Sequence, residues 1–248
     1  MNEYIEREVD FFLSQSSQPT AMERRPDILH DIDSCYEDRV PERYRGLTLM
    51  AIKESMGIPK QMEAGWNRVS EWMKERQPGD NLILSGPVGT GKTTIACGII
   101  QSIALRGEVC RYVFRGTKRE SIWYQSMNTL ADIIAASRGR GRSESMDPMR
   151  TLSQADVLVV DDLGVTPPEG WVQKKFEEIL CQRYDEKRTT IVTSNLGIVS
   201  LSNVLDRRVV DRLQQTGTFV TLDGSSLRST ANRGTGITAS ESGASTSL

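Results

Sequence analysis

At 248 residues, with 38% hydrophobic and 26% charged residues and a formal net charge of -2, the chain suits one sizeable soluble α/β domain plus a small appendage. That balance leaves no overall nucleic-acid footprint, so any contact with DNA has to be a local patch. Four scattered cysteines (Cys35, Cys97, Cys110, Cys181) and one histidine, His30, exclude metal-ligand spacing, and no leader-like or membrane-length apolar run occurs, so a reduced, cytoplasmic protein is expected.

Ile5, Val9 and Phe12 fall at helical spacing within residues 3–13, with Glu6, Arg7 and Asp10 between them, and Ser14-Gln15-Ser16-Ser17-Gln18-Pro19-Thr20 breaks the pattern. This short amphipathic helix is either docked on the body or presented to a partner. Residues 24–49 are charged and turn-rich, punctuated by Pro26 and Pro41, and read as the lead-in to the main domain. Met62, Trp66, Val69 and Met73 then form a helical stripe over 60–76, which Gln77-Pro78-Gly79 stops. Such a stripe is more often core than a binding face.

The stretch from Asn81 to Gly98 carries the strongest signal. An apolar strand at Leu82–Leu84 opens into Gly86-Pro87-Val88-Gly89-Thr90-Gly91-Lys92-Thr93, which matches the phosphate-binding loop G-x-x-x-x-G-K-[ST] at every fixed position, followed by Thr94 and a helix-like run. The glycines let successive N–H groups point at phosphate oxygens, and the following helix adds the positive end of its dipole. Lys92 is expected to reach the β- and γ-phosphates of ATP, and Thr93 to ligate Mg²⁺.

After a helix over 93–105, the apolar run Val109–Phe114 reads as the second strand, Arg115–Ser121 as a charged turn, and Ile122-Trp123-Tyr124 as a hairpin-like excursion. Leu130, Ile133 and Ile134 mark a further helix, which runs into Ser137-Arg138-Gly139-Arg140-Gly141-Arg142, a positively charged segment that is either a solvated loop or a DNA contact. The apolar strand Val157–Val160 then delivers Asp161 and Asp162 at its carboxyl end. In an open α/β sheet that end faces the ligand, so Asp161 suits Mg²⁺ and Asp162 suits polarising the attacking water. A helix over 171–184 and a strand over 190–193 follow, the strand ending at Ser194-Asn195, where the amide either orients water or serves a turn. A helix over 205–213 carries Arg207, Arg208 and Arg212, a last strand spans 218–222, and the Ser/Thr/Gly/Ala-rich residues 229–248 read as a disordered tail.

GPVGTGKTT, VLVVDDLG, the helix ending CQRY, TIVTSNL, and VVDRL followed by a strand and Ser226-Leu227-Arg228 together resemble the DnaC/IstB-like family of AAA+ ATPases. The resemblance implies a P-loop NTPase fold, a parallel sheet flanked by helices with a small helical N-terminal segment and no C-terminal lid. It divides the chain into a partner-binding segment 1–57, an ATPase domain 58–228 and the tail. It implies the sensor-1 position for Asn195 and an arginine finger, acting on a neighbouring subunit of a homo-oligomer, for Arg212, with Arg208 as second candidate. The function implied is a helicase loader that binds single-stranded DNA and a replicative helicase; the alternative is a transposase helper on duplex DNA. A small-molecule kinase would need a lid that is not legible here, and a non-hydrolysing adaptor would show no DNA-stimulated turnover.

Overall fold

The structure, a computed structural model, describes residues 3–14, 23, 25–27, 29–30, 40–113, 121–138, 148–164 and 170–224. Among them, β1 (Asn81–Ser85), β2 (Ile122–Ser126), β3 (Val157–Leu163), β4 (Thr189–Ser194) and β5 (Gly217–Thr221) form one parallel sheet in the order β2-β3-β4-β1-β5. Strands covered on both faces read as continuous apolar runs, which is how Leu82–Leu84, Val157–Val160 and Thr190–Val192 look in the sequence. Because β4 is inserted between β1 and β3, the carboxyl ends of those three strands open side by side on one rim.

Alternate residues of each strand point to opposite faces, so the core has two layers. On one side Leu82, Leu84, Val157, Val159, Ile191 and Val220 pack against α2 (Leu49–Met56), α3 (Glu63–Glu75) and α4 (Lys92–Val113). On the other, Ile83, Leu158, Val160 and Val192 pack against α5 (Met127–Ala136), α6 (Pro148–Gln154), α7 (Gly170–Asp185), α8 (Ile198–Leu201) and α9 (Arg207–Thr216). At the amino ends of the strands the fully buried Arg183 of α7 donates to the carbonyls of Leu152, Ala155 and Thr189 and to the Thr190 hydroxyl, tying α6, α7, β4 and the lead into β3 together. Burial, with Arg188 nearby, pushes its pKa down.

Two expectations are overturned. The backbone over Val109–Val113 continues α4 instead of forming a strand, and Phe114 lies outside the described residues. A short apolar run rich in Val and Tyr does not by itself distinguish a strand from the last turns of a buried helix. The second strand is instead Ile122–Ser126, which pairs in parallel with β3, Ile122 opposite Val157, and so is part of the sheet and no hairpin. The turn expected over 115–121 lies outside the described residues except for Ser121, as do Arg140, Arg142, Ser226–Arg228 and the tail.

The N-terminal helix α1 (Glu3–Ser14) is docked. Ile5, Val9 and Leu13 are buried with Leu29 and with Leu105 of α4, Phe12 packs at the margin, and Phe11 points outward, 56% exposed. A partner could therefore meet Ile5 and Val9 only after α1 leaves this seat. Nor does the expected boundary at 57/58 mark a break in packing, since Val40 and Ile52 belong to the same core layer as α3 and α4. A buried glutamine fixes the lead-in: Gln101 of α4 donates to the carbonyls of Tyr44 (2.8 Å) and Leu47 (3.0 Å) and accepts from the Gly46 N–H (2.6 Å).

Under α1, Glu8 is buried with Oε2 lacking a partner among the described residues. Desolvation pushes its carboxyl above the ordinary range, opposed by a hydrogen bond with Thr48 and by the charge of Arg106, and aided by Glu54. A carboxyl whose pKa is raised by folding favours the folded state in its protonated form, so this contribution is present at low pH and is lost as pH rises through the raised value. Glu8→Gln keeps the volume and removes the charge. It should raise the melting temperature at neutral pH by about 2–4 °C, equivalent to about 1 kcal/mol in a domain of this size. The gap should narrow as pH falls toward the ordinary carboxyl range; equal midpoints for the two proteins at neutral pH would contradict the assignment.

Candidate nucleotide-binding site

Gly86 to Gly91 link the carboxyl end of β1 to α4, whose first residues are Lys92 and Thr93. Gly86 stands at φ 145°, and a Cβ there would lie 2.4 Å from the Leu222 carbonyl oxygen, because Leu222 folds over the end of β1 and donates to the Ser85 carbonyl at 2.8 Å. Gly89 and Gly91 also hold positive φ, which curls the loop. Thr90, fully buried, donates to the Pro87 carbonyl at 3.0 Å, and Lys92 Nζ donates to the Gly86 and Pro87 carbonyls, both at 2.8 Å. The loop thus encloses its own ammonium group at the start of a helix whose first N–H groups are unbonded within the helix, a combination suited to phosphate. Val88 is exposed at the loop's tip, and Thr94 is the third residue of α4.

Asp161, at the end of β3, is 4% exposed and fully engaged. Oδ1 accepts from Thr93 Oγ1 (3.0 Å) and Thr193 Oγ1 (2.5 Å), and Oδ2 from Tyr124 OH (2.6 Å) and more weakly from Thr93 (3.2 Å). Burial, reinforced by the hydrogen bond to Asp161 and by its charge, pushes the Tyr124 phenol far above its ordinary value, so it stays protonated and donates. The hydroxyl of Thr93 and the carboxylate of Asp161 are hard oxygen donors 3.0 Å apart, a set that fits Mg²⁺.

Asp162 departs from the strand. The β3–β4 register shifts between Val160 and Leu163, Asp162 takes φ 60°, its N–H donates to Thr193 Oγ1 at 2.9 Å, and it is exposed while Asp161 is buried. The single hydroxyl of Thr193 therefore fixes both acidic residues. Asn195 follows β4 directly and is exposed on the same rim, since Ser194 pairs with Ser85 on one side and Leu163 on the other.

The arginines of α9 lie elsewhere. Arg212 sits near the opposite, amino end of the sheet: it donates to the Cys181 carbonyl (3.3 Å), is 3.5 Å from Asp185 and stacks over the Tyr184 ring, in a recess shared with Asn81 and Thr190 at the starts of β1 and β4. It is thus far from the loop of its own chain. Arg208 is exposed and pairs with Asp206, which also caps α9. Arg138 lies over the Trp171 ring at 5.7 Å.

The sequence reading missed Tyr124 and Thr193. Tyr124 was legible as part of a β-prone run, but its role depends on that run being the neighbour of β3; Thr193 was hidden one position before the Ser-Asn pair that drew attention.

The family described as IstB-like ATP binding protein matches residues 68–235. An insertion sequence ATP-binding protein of Sinorhizobium fredii (strain NBRC 101917 / NGR234), y4pL, is 32% identical over 159 residues, 62% of this chain and 59% of that protein. The replicative helicase loader DnaC of Escherichia coli (strain K12) is 29% identical over 138 residues, 54% of this chain and 50% of that protein. The matched stretch thus spans between half and three fifths of these relatives. A crystal structure of the DnaC helicase loader shares the fold, with a TM-score of 0.58 at 18% identity, covering 74% of this chain and all of that one.

The Gly86 contact yields a comparison of two substitutions. Gly57 also holds positive φ (65°), but nothing lies within 4 Å of a Cβ there. Gly57→Ala should then cost only backbone strain, about 1–3 kcal/mol, whereas Gly86→Ala adds a clash with the Leu222 backbone and should cost measurably more. Denaturant unfolding of both variants checks this; equal losses would mean that the β1–β5 closure over the loop is loose.

Proposed function

Because the chain belongs to the IstB-like ATP binding protein family, we propose that it hydrolyses ATP with Mg²⁺ and uses the cycle to deliver a DNA-acting partner. The observation that carries this reading is the junction of the loop with β3, where Thr93 and Asp161 share hydrogen bonds of 3.0 and 3.2 Å. When bound, the cation neutralises charge on the β- and γ-phosphate oxygens. Lys92 exchanges its loop carbonyls for phosphate oxygens, Gly86 to Thr94 wrap the phosphates, and Thr93 and Asp161 hold the cation. Asp162, exposed on the rim, polarises the attacking water, and Asn195, one strand over, orients it. Arg212, remote from its own loop, serves a neighbouring copy in a homo-oligomer.

For the partner we favour a replicative helicase, with single-stranded DNA tracked by Arg138, Arg140 and Arg142; likeness to DnaC and the helicase-loader fold support it. A second reading, a transposase helper on duplex DNA, is supported by the IstB-like family match and by the insertion sequence relative. Residues 1–57 are proposed to contact the partner, with α1 released from α4 when they do so.

Variant turnover, subunit mixing, partner capture and DNA binding test these readings. Lys92→Ala should abolish ATP binding, and Asp162→Asn should retain it while losing turnover. Arg212→Ala should bind ATP yet lose assembly-dependent hydrolysis by about 10³-fold or more, as for a finger supplied in trans. Mixing Arg212→Ala with Lys92→Ala should restore part of that activity; no recovery in an assembled mixture refutes the trans role. Separately, the full chain should co-purify with a replicative helicase and prefer single-stranded DNA. Its log affinity should fall with log salt by about 0.7 per phosphate contact, and replacing the three arginines should flatten that slope. Capture of a transposase with duplex preference installs the second reading.

A further inference from the structure

Asp161 receives its hydrogen bonds from both neighbouring strands. Thr193 of β4 holds Oδ1 and Tyr124 of β2 holds Oδ2, while Thr93 donates to both oxygens. If Thr93 turns its oxygen toward a cation, Thr193 still holds Oδ1 and Tyr124 still holds Oδ2. Tyr124 pairs in register with Val159, two residues before Asp161 on the same face of the sheet, so its side chain must reach diagonally along the strand. Such diagonal neighbours lie about 7–8 Å apart, within range of an aromatic side chain but not of a short hydroxyl. The phenol is half-buried against the same core layer and donates to Oδ2 at 2.6 Å.

We propose that Tyr124 is the positioning residue that orients the Asp161 carboxylate and thereby sets the affinity of the loop for a divalent cation. This rests on the reading of Thr93 and Asp161 as the cation's holders. Partners that bond a metal-binding carboxylate from outside typically control 10–100-fold in metal affinity. Tyr124 acts by holding one oxygen against rotation, so that the other is aimed at the loop. Because β2 is an edge strand of the described sheet, the orientation of this carboxylate depends on how firmly that strand is seated.

The test uses Mn²⁺ as the probe, titrated into the full chain with a non-hydrolysable ATP analogue and followed by electron paramagnetic resonance. Tyr124→Phe keeps the ring and removes only the hydroxyl. It should raise the Mn²⁺ Kd by about 10-fold or more, with analogue affinity in the absence of metal and the circular dichroism spectrum unchanged. Asp161→Asn should weaken Mn²⁺ binding as well, and adding Tyr124→Phe to it should produce little further loss, since the hydroxyl acts through the carboxylate. Equal Mn²⁺ Kd values for wild type and Tyr124→Phe, with Asp161→Asn weakened, overturn the positioning role alone. Unchanged Mn²⁺ binding in Asp161→Asn overturns the cation-site reading and the proposal together. Loss of metal-free analogue binding in Tyr124→Phe identifies a packing residue and overturns the proposal as well.

Discussion

A carboxylate taken out of water has to be bonded on both oxygens to offset its lost hydration. Asp161 meets that requirement with hydroxyls from three different elements: Thr93 from the first turn of α4, Thr193 from β4 and Tyr124 from β2. The need to satisfy one buried charge thus fixes the mutual placement of the phosphate loop, the sheet centre and the sheet edge. The strand order makes this possible. With β4 between β1 and β3, a threonine near its end can hold Asp161 by its side chain and Asp162 by its backbone N–H. Asp162 is thereby kept in a left-handed conformation that few non-glycine residues adopt, at a cost of about 1–3 kcal/mol.

The two ends of the sheet are built on different chemistry. At the amino ends, Arg183 gathers the backbone carbonyls of Leu152 in α6, Ala155 just ahead of β3 and Thr189 in β4, and is completely buried. At the carboxyl ends stand glycines with positive φ and the short hydroxyl side chains of Thr93 and Thr193. The buried guanidinium thus sits at the end of the sheet opposite the phosphate-loop motif.

Much of this was legible in the sequence where a local rule applies. The phosphate loop is a contiguous pattern with a strand before it and a helix after it, and the apolar run ending in Asp161-Asp162 is similarly local. The helix carrying Leu130 and Ile134 and the one carrying Phe176 and Ile179 follow from periodicity, and their burial agrees. What escaped depends on neighbours distant in the chain. Tyr124 and Asp161 are 37 residues apart and meet only because β2 pairs with β3. Gln101 looks like one more polar residue of a helix until Tyr44, Gly46 and Leu47 are laid over it. The strand expected at Val109 failed for the related reason that an apolar, β-branched run fits a long buried helix as well as a strand. For α1, periodicity identified the helix, but Leu13, not Phe12, completes its buried stripe.

The length of α4 has a mechanical meaning. At 22 residues it runs about 33 Å, three times the thickness of a packed layer. It is gripped at its start by the loop and Asp161, near its middle by Gln101 and Ser102 against residues 44–49, and farther along by α1 at Leu105. A rod held at three stations cannot tilt at one without loading the others. The alignment of Lys92 is therefore inherited in part from contacts several turns away, and α1 and residues 44–49 brace the helix that the loop begins.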